Sequence, residues 1–406
     1  MKLVSGAALG LALALAGAIA ATSPGLAQEQ AEIVLNEQER TALQALKTAL
    51  ETKDYAAATS ALATAQQAAR SGYSRYLASS LQLRLGLETK NYGLQKTAID
   101  AMIGSGAAPA ASLPQLLKSQ GALAMSAGEY EDAEASFARW TQAAPNDPEA
   151  FLALAQAKTA RDKVPETIPL IANAIKLQQA ANRPVPEAWY LRGLKHAFDA
   201  RMVAESLDFS RGLIAAYPTP ENWRDVLLVR RDLGQLDPAA TVDLLRLLRN
   251  TKGLAGERDY YALAEALTAA GFGAEAKAVL DEGVAAKMVD ASEARTKELL
   301  AAAKKATTAS SALAGLETKA TSAATGAAAM TAADAYFGHG DYAKASALYR
   351  AALQKGSVDP NVANTRLGMA LGLAGQKVEA ETALRAVTGT RADLAALWLL
   401  WLAQRG

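Results

Sequence analysis

Leu117, Gly121 and Met125 fall at spacings of four, which places them on one face of a helix. That helix stops at Gly128, because glycine takes the positive φ that a helix C-terminus needs. Glu129 and Tyr130 follow, the tyrosine ring covering the turn. Ala133 and Phe137 then lie four apart on a second helix, and Pro145 ends it. The pattern predicts two antiparallel helices in a unit of about 34 residues. Gly121 and Ala133 are small where the two must approach, at roughly 8–10 Å between axes. Phe137 fills the space between them. One such hairpin cannot bury its apolar face alone, so copies must stack beside it.

The same signal recurs along the chain. Lys53-Asp54-Tyr55 is followed by Ala58 and Leu62, and Lys90-Asn91-Tyr92 by Ile99. Later copies centre on Val164, Met202, Gly234-Gln235-Leu236, Gly271-Phe272-Gly273, Gly340-Asp341-Tyr342 and Gly375-Gln376-Lys377. From Tyr55 through Lys377 the marker residues step by 37, 38, 34, 38, 34, 37, 69 and 35. The 69-residue step leaves room for one degraded copy between about 284 and 325. The copy at Val164 lacks both the turn glycine and the aromatic.

In these slots the unit resembles the tetratricopeptide repeat (TPR). Trp189 and Trp223, just after Pro186-Glu187 and Pro220-Glu221, stand where that family commonly places an aromatic. Gly193 and Gly368 repeat the slot of Gly121, and Pro145, Pro218 and Pro360 mark ends of second helices. The resemblance implies an all-α fold, an α-solenoid of stacked antiparallel helix pairs wound as a right-handed superhelix. It also implies a class of work, the holding of other macromolecules. In proteins of this kind, partner segments lie in an inner groove lined by the first helices. Matching those slots copy by copy gives Lys118 and Met125, Tyr190 and Phe198, Arg224 and Arg231, and Tyr261 and Glu265 as candidate groove residues. Aromatic and arginine anchors suit such a groove. Ordinary packing and solvated charge explain the same residues equally well.

Composition narrows the chemistry. Apolar residues make up 51% of the chain and aromatics only 6%, which suits closely packed helices. Cysteine is absent, so disulfides, thiolate nucleophiles and cysteine-ligated metals are excluded. His196 and His339 are the two histidines, too far apart in sequence to suggest a dyad. Gly104-Ser105-Gly106 follows a helical pattern rather than a strand and reads as an inter-repeat loop. No catalytic residue, cofactor or metal is expected. Lys plus Arg total 42 against 41 Asp plus Glu, which gives no support to nucleic-acid binding or a polybasic membrane patch.

Residues 1–27 read as a signal peptide: Lys2, an apolar run from Ala7 to Ala21, then Pro24-Gly25-Leu26-Ala27 with a cut after Ala27. The expected address is periplasmic or secreted, without an integral membrane segment after cleavage. The domain reading is 28–303 for TPR-like repeats and 330–406 for further repeats and a capping helix. Between them, 304–329 is an Ala/Thr/Ser-rich degraded repeat or a linker. Leu394 to Ala403 is apolar for ten residues, with Trp398 and Trp401. It is too short for a bilayer, which needs about 20 apolar residues, so it is either buried against the last repeat or a self-association contact. The function expected is a non-enzymatic scaffold or adaptor of the bacterial envelope, holding a protein or peptide partner from assembly or export machinery. The alternative is an accessory protein or enzyme that binds envelope glycan or processes cell-wall polysaccharide.

Overall fold

The computed structural model describes residues 35–405, except 235, 311 and 312, with only the backbone of 308–310. The leader read at 1–27 and Gln235 of one turn lie outside the described residues. Among the described residues there are 21 α-helices and no strand. No helix among them is long and apolar enough to cross a membrane. The chain divides into two compact units that meet at Pro109 and Ala110.

The first unit has two hairpins, α1 (Glu37–Glu51) with α2 (Tyr55–Ala68) and α3 (Gly72–Glu88) with α4 (Tyr92–Gly104). Leu46, Leu50, Ala58 and Leu85 form its dry centre. Glu39 closes α1 by a capping box with Asn36 and also accepts the Arg70 N–H at 3.0 Å, joining the start of α1 to the end of α2.

The second unit continues with α5 (Leu113–Ala127) and α6 (Tyr130–Ala143), α7 (Pro148–Ala160) and α8 (Val164–Ala180), and α9 (Glu187–Asp199) and α10 (Val203–Ala216). Next are α11 (Pro220–Leu233), α12 (Pro238–Asn250), α13 (Glu257–Ala269) and α14 (Gly273–Ala285). The rest are α15 (Ala294–Ser310), α16 (Leu313–Ser322), α17 (Ala327–Gly338), α18 (Tyr342–Lys355), α19 (Pro360–Leu373) and α20 (Lys377–Arg385). A 3₁₀ turn, Gly389–Arg391, leads into α21 (Ala392–Gln404). Most neighbours pair as hairpins. α15 instead packs on α13 and α14, and α16 packs on α17.

The hairpins share one turn. Gly128, Gly271, Gly340 and Gly375 have positive φ, and so do Lys53, Lys90, Asp162 and Arg201. The following N–H then reaches back five residues, as from Glu129 to Ala124 O at 2.9 Å and from Gln376 to Leu371 O at 2.8 Å. Where that following residue is Asp54, Asn91 or Asp341, its side chain caps the next helix. One short signal therefore ends one helix and starts another. Asp162 and Lys163 make the same closure, so α7 and α8 pair without the glycine or the aromatic.

The end of α11 departs from this. Gly234 is extended, with φ −90° and ψ 133°, and α12 packs less extensively on α11 than other second helices do on their partners. It runs instead into the middle of the second unit, touching α11, α13, α19 and α21. Every residue from Val242 to Leu248 is at most 3% exposed. α21 lies against α10, α12, α19 and α20, with Trp398 fully buried. The apolar C-terminal stretch is therefore covered by helices from the middle of the chain as well as by the last repeat.

Candidate functional site

Of the sequence-predicted groove residues, Lys118, Arg224, Tyr261 and Glu265 make polar ties that join helices one repeat apart. Lys118 on α5 pairs with Glu149 on α7 at 2.7 Å, and its ammonium lies 5.2 Å from the Trp140 ring. Arg224 on α11 pairs with Asp259 on α13 and donates to Gly253 O at 3.0 Å. The Tyr261 hydroxyl meets Thr296 at 2.7 Å and donates to Glu257 at 2.8 Å. Glu265 pairs with Arg295 on α15, whereas Arg231 pairs with its neighbour Asp232 at 2.9 Å. Asn222 donates to Glu187 at 2.6 Å, a tie of the same spacing that the slot matching did not include. These ties fix the register of successive first helices. Met125 and Phe198 are half-buried and apolar, Phe198 facing the Arg201 guanidinium at 6.0 Å. Tyr190 is a core residue at 4% exposure, its ring packed over Gly212 and its hydroxyl accepting from Gln179 at 3.2 Å.

A second convergence, which the slot matching does not reach, surrounds α12. Asp243 is fully buried and accepts from Arg246 at 3.0 Å, Arg366 of α19 at 3.4 Å and Arg391 at 2.8 Å. Arg246 also donates to Glu275 of α14 at 2.6 Å and stands between the Phe272 and Phe337 rings, at 4.8 and 4.5 Å. Arg366 donates through Nη1 to both oxygens of Asp334 on α17, at 2.9 and 2.8 Å. The Tyr349 hydroxyl donates to Asp334 at 2.6 Å. Burial alone would raise Asp243, but the three guanidiniums outweigh it and hold its carboxyl below the usual range. At Asp334 burial prevails over Arg366 and Tyr349, and its carboxyl is pushed up. The one sequence signal for this cluster is local: Arg246 stands between Leu244-Leu245 and Leu247-Leu248, where a solvated charge is out of place.

A third cluster lies on the α6–α8 surface. Glu134 accepts from Lys158 at 2.8 Å, Arg161 at 2.7 Å and Lys163 at 3.2 Å. Burial opposes its charge, but these donors win and hold its carboxyl at about 2. The histidines remain apart. His196 on α9 shares a 2.7 Å hydrogen bond with Thr167, and burial with nearby Arg192 and Lys195 lowers its pKa. His339 is the exposed C-cap of α17.

No protein-family model and no curated protein matches the chain. Solved structures do. A tetratricopeptide repeat protein from Parabacteroides merdae is 12% identical, with a TM-score of 0.26, over 72% of this chain and 100% of that one. The TPR2AB domain of yeast Sti1 in complex with pHSP90 is 16% identical, with a TM-score of 0.24, over 72% and 100%. The C-terminal part of a TPR repeat-containing protein from Cytophaga hutchinsonii is 12% identical, with a TM-score of 0.27, over 80% and 98%. These likenesses are too distant for anything to follow from them about partners. The hairpins themselves give the build: Gly121, Gly193 and Gly368 sit tightly under Phe137, Phe209 and Leu384, each sixteen residues on, and left-handed residues close the turns. Among the described residues the fold is all-α, with helix pairs packed in sequence order whose turns and small-residue slots resemble those of the tetratricopeptide repeat.

Proposed function

We propose that the chain is an interaction scaffold of the bacterial envelope, holding a segment of a protein partner against the first helices α5, α7 and α9. One observation carries this: the second unit already holds an apolar helix of its own, chiefly on second helices rather than first ones. α21 lies on α10 and α12 with Trp398 and Trp401 buried, and its ends are fixed by polar contacts. Asp393 reaches Arg211 at 3.5 Å, while Gln404 accepts from Trp223 at 3.1 Å and donates to Ile214 O at 2.7 Å. An apolar stripe with polar end contacts is how a helix is held in a groove. Along α5 to α9 the half-buried Met125 and Phe198, with the Lys118–Glu149 pair, supply an apolar and polar mixture of the same kind. The envelope assignment rests on the leader read at 1–27.

The test is a photocrosslinking side chain at Met125, with one at the 82% exposed Glu131 as control, in envelope extract. A discrete adduct at Met125 alone, weakened by Lys118→Glu with helicity unchanged, is the expected result. The same adducts at both positions, or none at Met125, overturn it.

A further inference from the structure

A pocket of about 820 Å³ opens inside the second unit, between the start of α12, the α13–α14 turn, α17 and α19. That volume is within the range of small-molecule sites, roughly 300–1,000 Å³. Its wall is mostly small or apolar, with Leu236, Phe272, Leu316 and several alanines. Among the described lining residues, Asp334 is the one carboxyl group and Arg366 the one guanidinium, with no lysine. Both are deeply set, their side chains 14% and 7% exposed.

Their unused hydrogen-bonding capacity is specific. Arg366 spends Nε on Asp243 and Nη1 on Asp334, and Nη2 makes no hydrogen bond among the described residues. Among the described residues Asp334 Oδ2 accepts from Arg366 Nη1 alone, at 2.8 Å, which leaves a lone-pair direction open. The polar end therefore offers one donor and one acceptor side by side. Its buried charges balance: Arg246, Arg366 and Arg391 are matched by Asp243, Glu275 and Asp334, while Asp237, which also pairs with Arg391, is exposed and outside the described lining. A charged ligand would lose its hydration here without meeting an uncompensated counter-charge. A neutral group that both donates and accepts loses little.

We propose that this pocket binds a neutral, slender amphiphile, with an apolar chain along the alanine-rich wall and a head such as a primary amide or alcohol on Arg366 and Asp334. The site lies away from the α5–α9 face, and the inference does not depend on the scaffold reading.

The experiment is calorimetric titration of the full chain at pH 7 with octanamide, octanoate and octylamine, each below its aggregation threshold. Saturable one-to-one binding of octanamide is expected, with the two charged analogues roughly tenfold weaker or more. Ala335→Phe and Ala270→Phe, which fill the pocket from α17 and from the α13 end, should abolish binding at unchanged helicity and melting temperature. The analogue series on the unaltered chain stands even if one filled variant fails to fold. Absence of saturable octanamide binding, equal affinity for a charged analogue, or undiminished binding in a folded filled variant overturns the proposal.

Discussion

At Gly121 a Cβ would lie 2.3–2.8 Å from three atoms of the Phe137 ring. The expectation that Gly121 is small for the sake of close approach to α6 therefore has a sharper form, since it is the ring that needs the space. Gly121→Ala should push Phe137 off its rotamer and cost about 1–3 kcal/mol in urea melts. Glu131→Ala, at an exposed position, should stay within about 0.5 kcal/mol, and equal shifts would show that the ring has room. Glu134 makes a different kind of prediction. Its folded-state pKa of about 2 lies below the ordinary 4.5, so its contribution is complete above 4.5 and fades as pH falls toward 2. With its side chain 15% exposed, that contribution is on the order of 1–3 kcal/mol. Between pH 4.5 and 2 the wild-type chain should lose that much more stability than Glu134→Gln, followed by denaturant melts across the range. Parallel pH profiles would show that the three cationic neighbours do not hold the carboxylate.

Among the elements, α12 is the one whose surroundings come from afar. Asp243 meets guanidiniums 123 and 148 residues later in the chain, besides Arg246 one turn away. Asp243→Asn would leave three buried guanidiniums short of a counter-charge, and should cost about 3–5 kcal/mol. The same change at the exposed Asp281, paired one turn from Lys277, should cost under about 1 kcal/mol. A small effect at Asp243 would mean that α12 is less tightly enclosed than its burial indicates. The contrast explains what could be read in advance. Hairpins such as α5–α6 were legible because their signals are local: a left-handed glycine at the turn and a small residue sixteen positions before a large one. The extended Gly234 and the enclosure of α12 were not, since a Gly-Gln-Leu sequence looks the same whichever helices the next one meets. The slot residues fall on α5, α9, α11 and α13, yet periodicity says nothing of the partner. That Arg224 would be tied to Asp259, and Tyr190 would be enclosed, depends on neighbours a repeat away.

On the scale of the whole molecule, the question is whether α21 is held by its own chain or by another. Trp398 is fully buried with its ring 5.2 Å from that of Trp401 in an edge-on arrangement, and Asp393 and Gln404 reach α10 and α11 from the two ends of the helix. All of these partners belong to the same chain. Trp398→Ala should therefore cost about 3–5 kcal/mol, as truncating a buried tryptophan does. Its mass in light scattering should equal that of the wild-type chain. Because the contact is intramolecular, the wild-type melting midpoint should also be independent of protein concentration over a hundredfold range, whereas a helix exchanged between two copies would make the midpoint rise with concentration. A concentration-dependent midpoint that Trp398→Ala abolishes, with a dimer giving way to a folded monomer, would place α21 on a second copy. The helix would then be a means of self-association rather than the closure of the second unit.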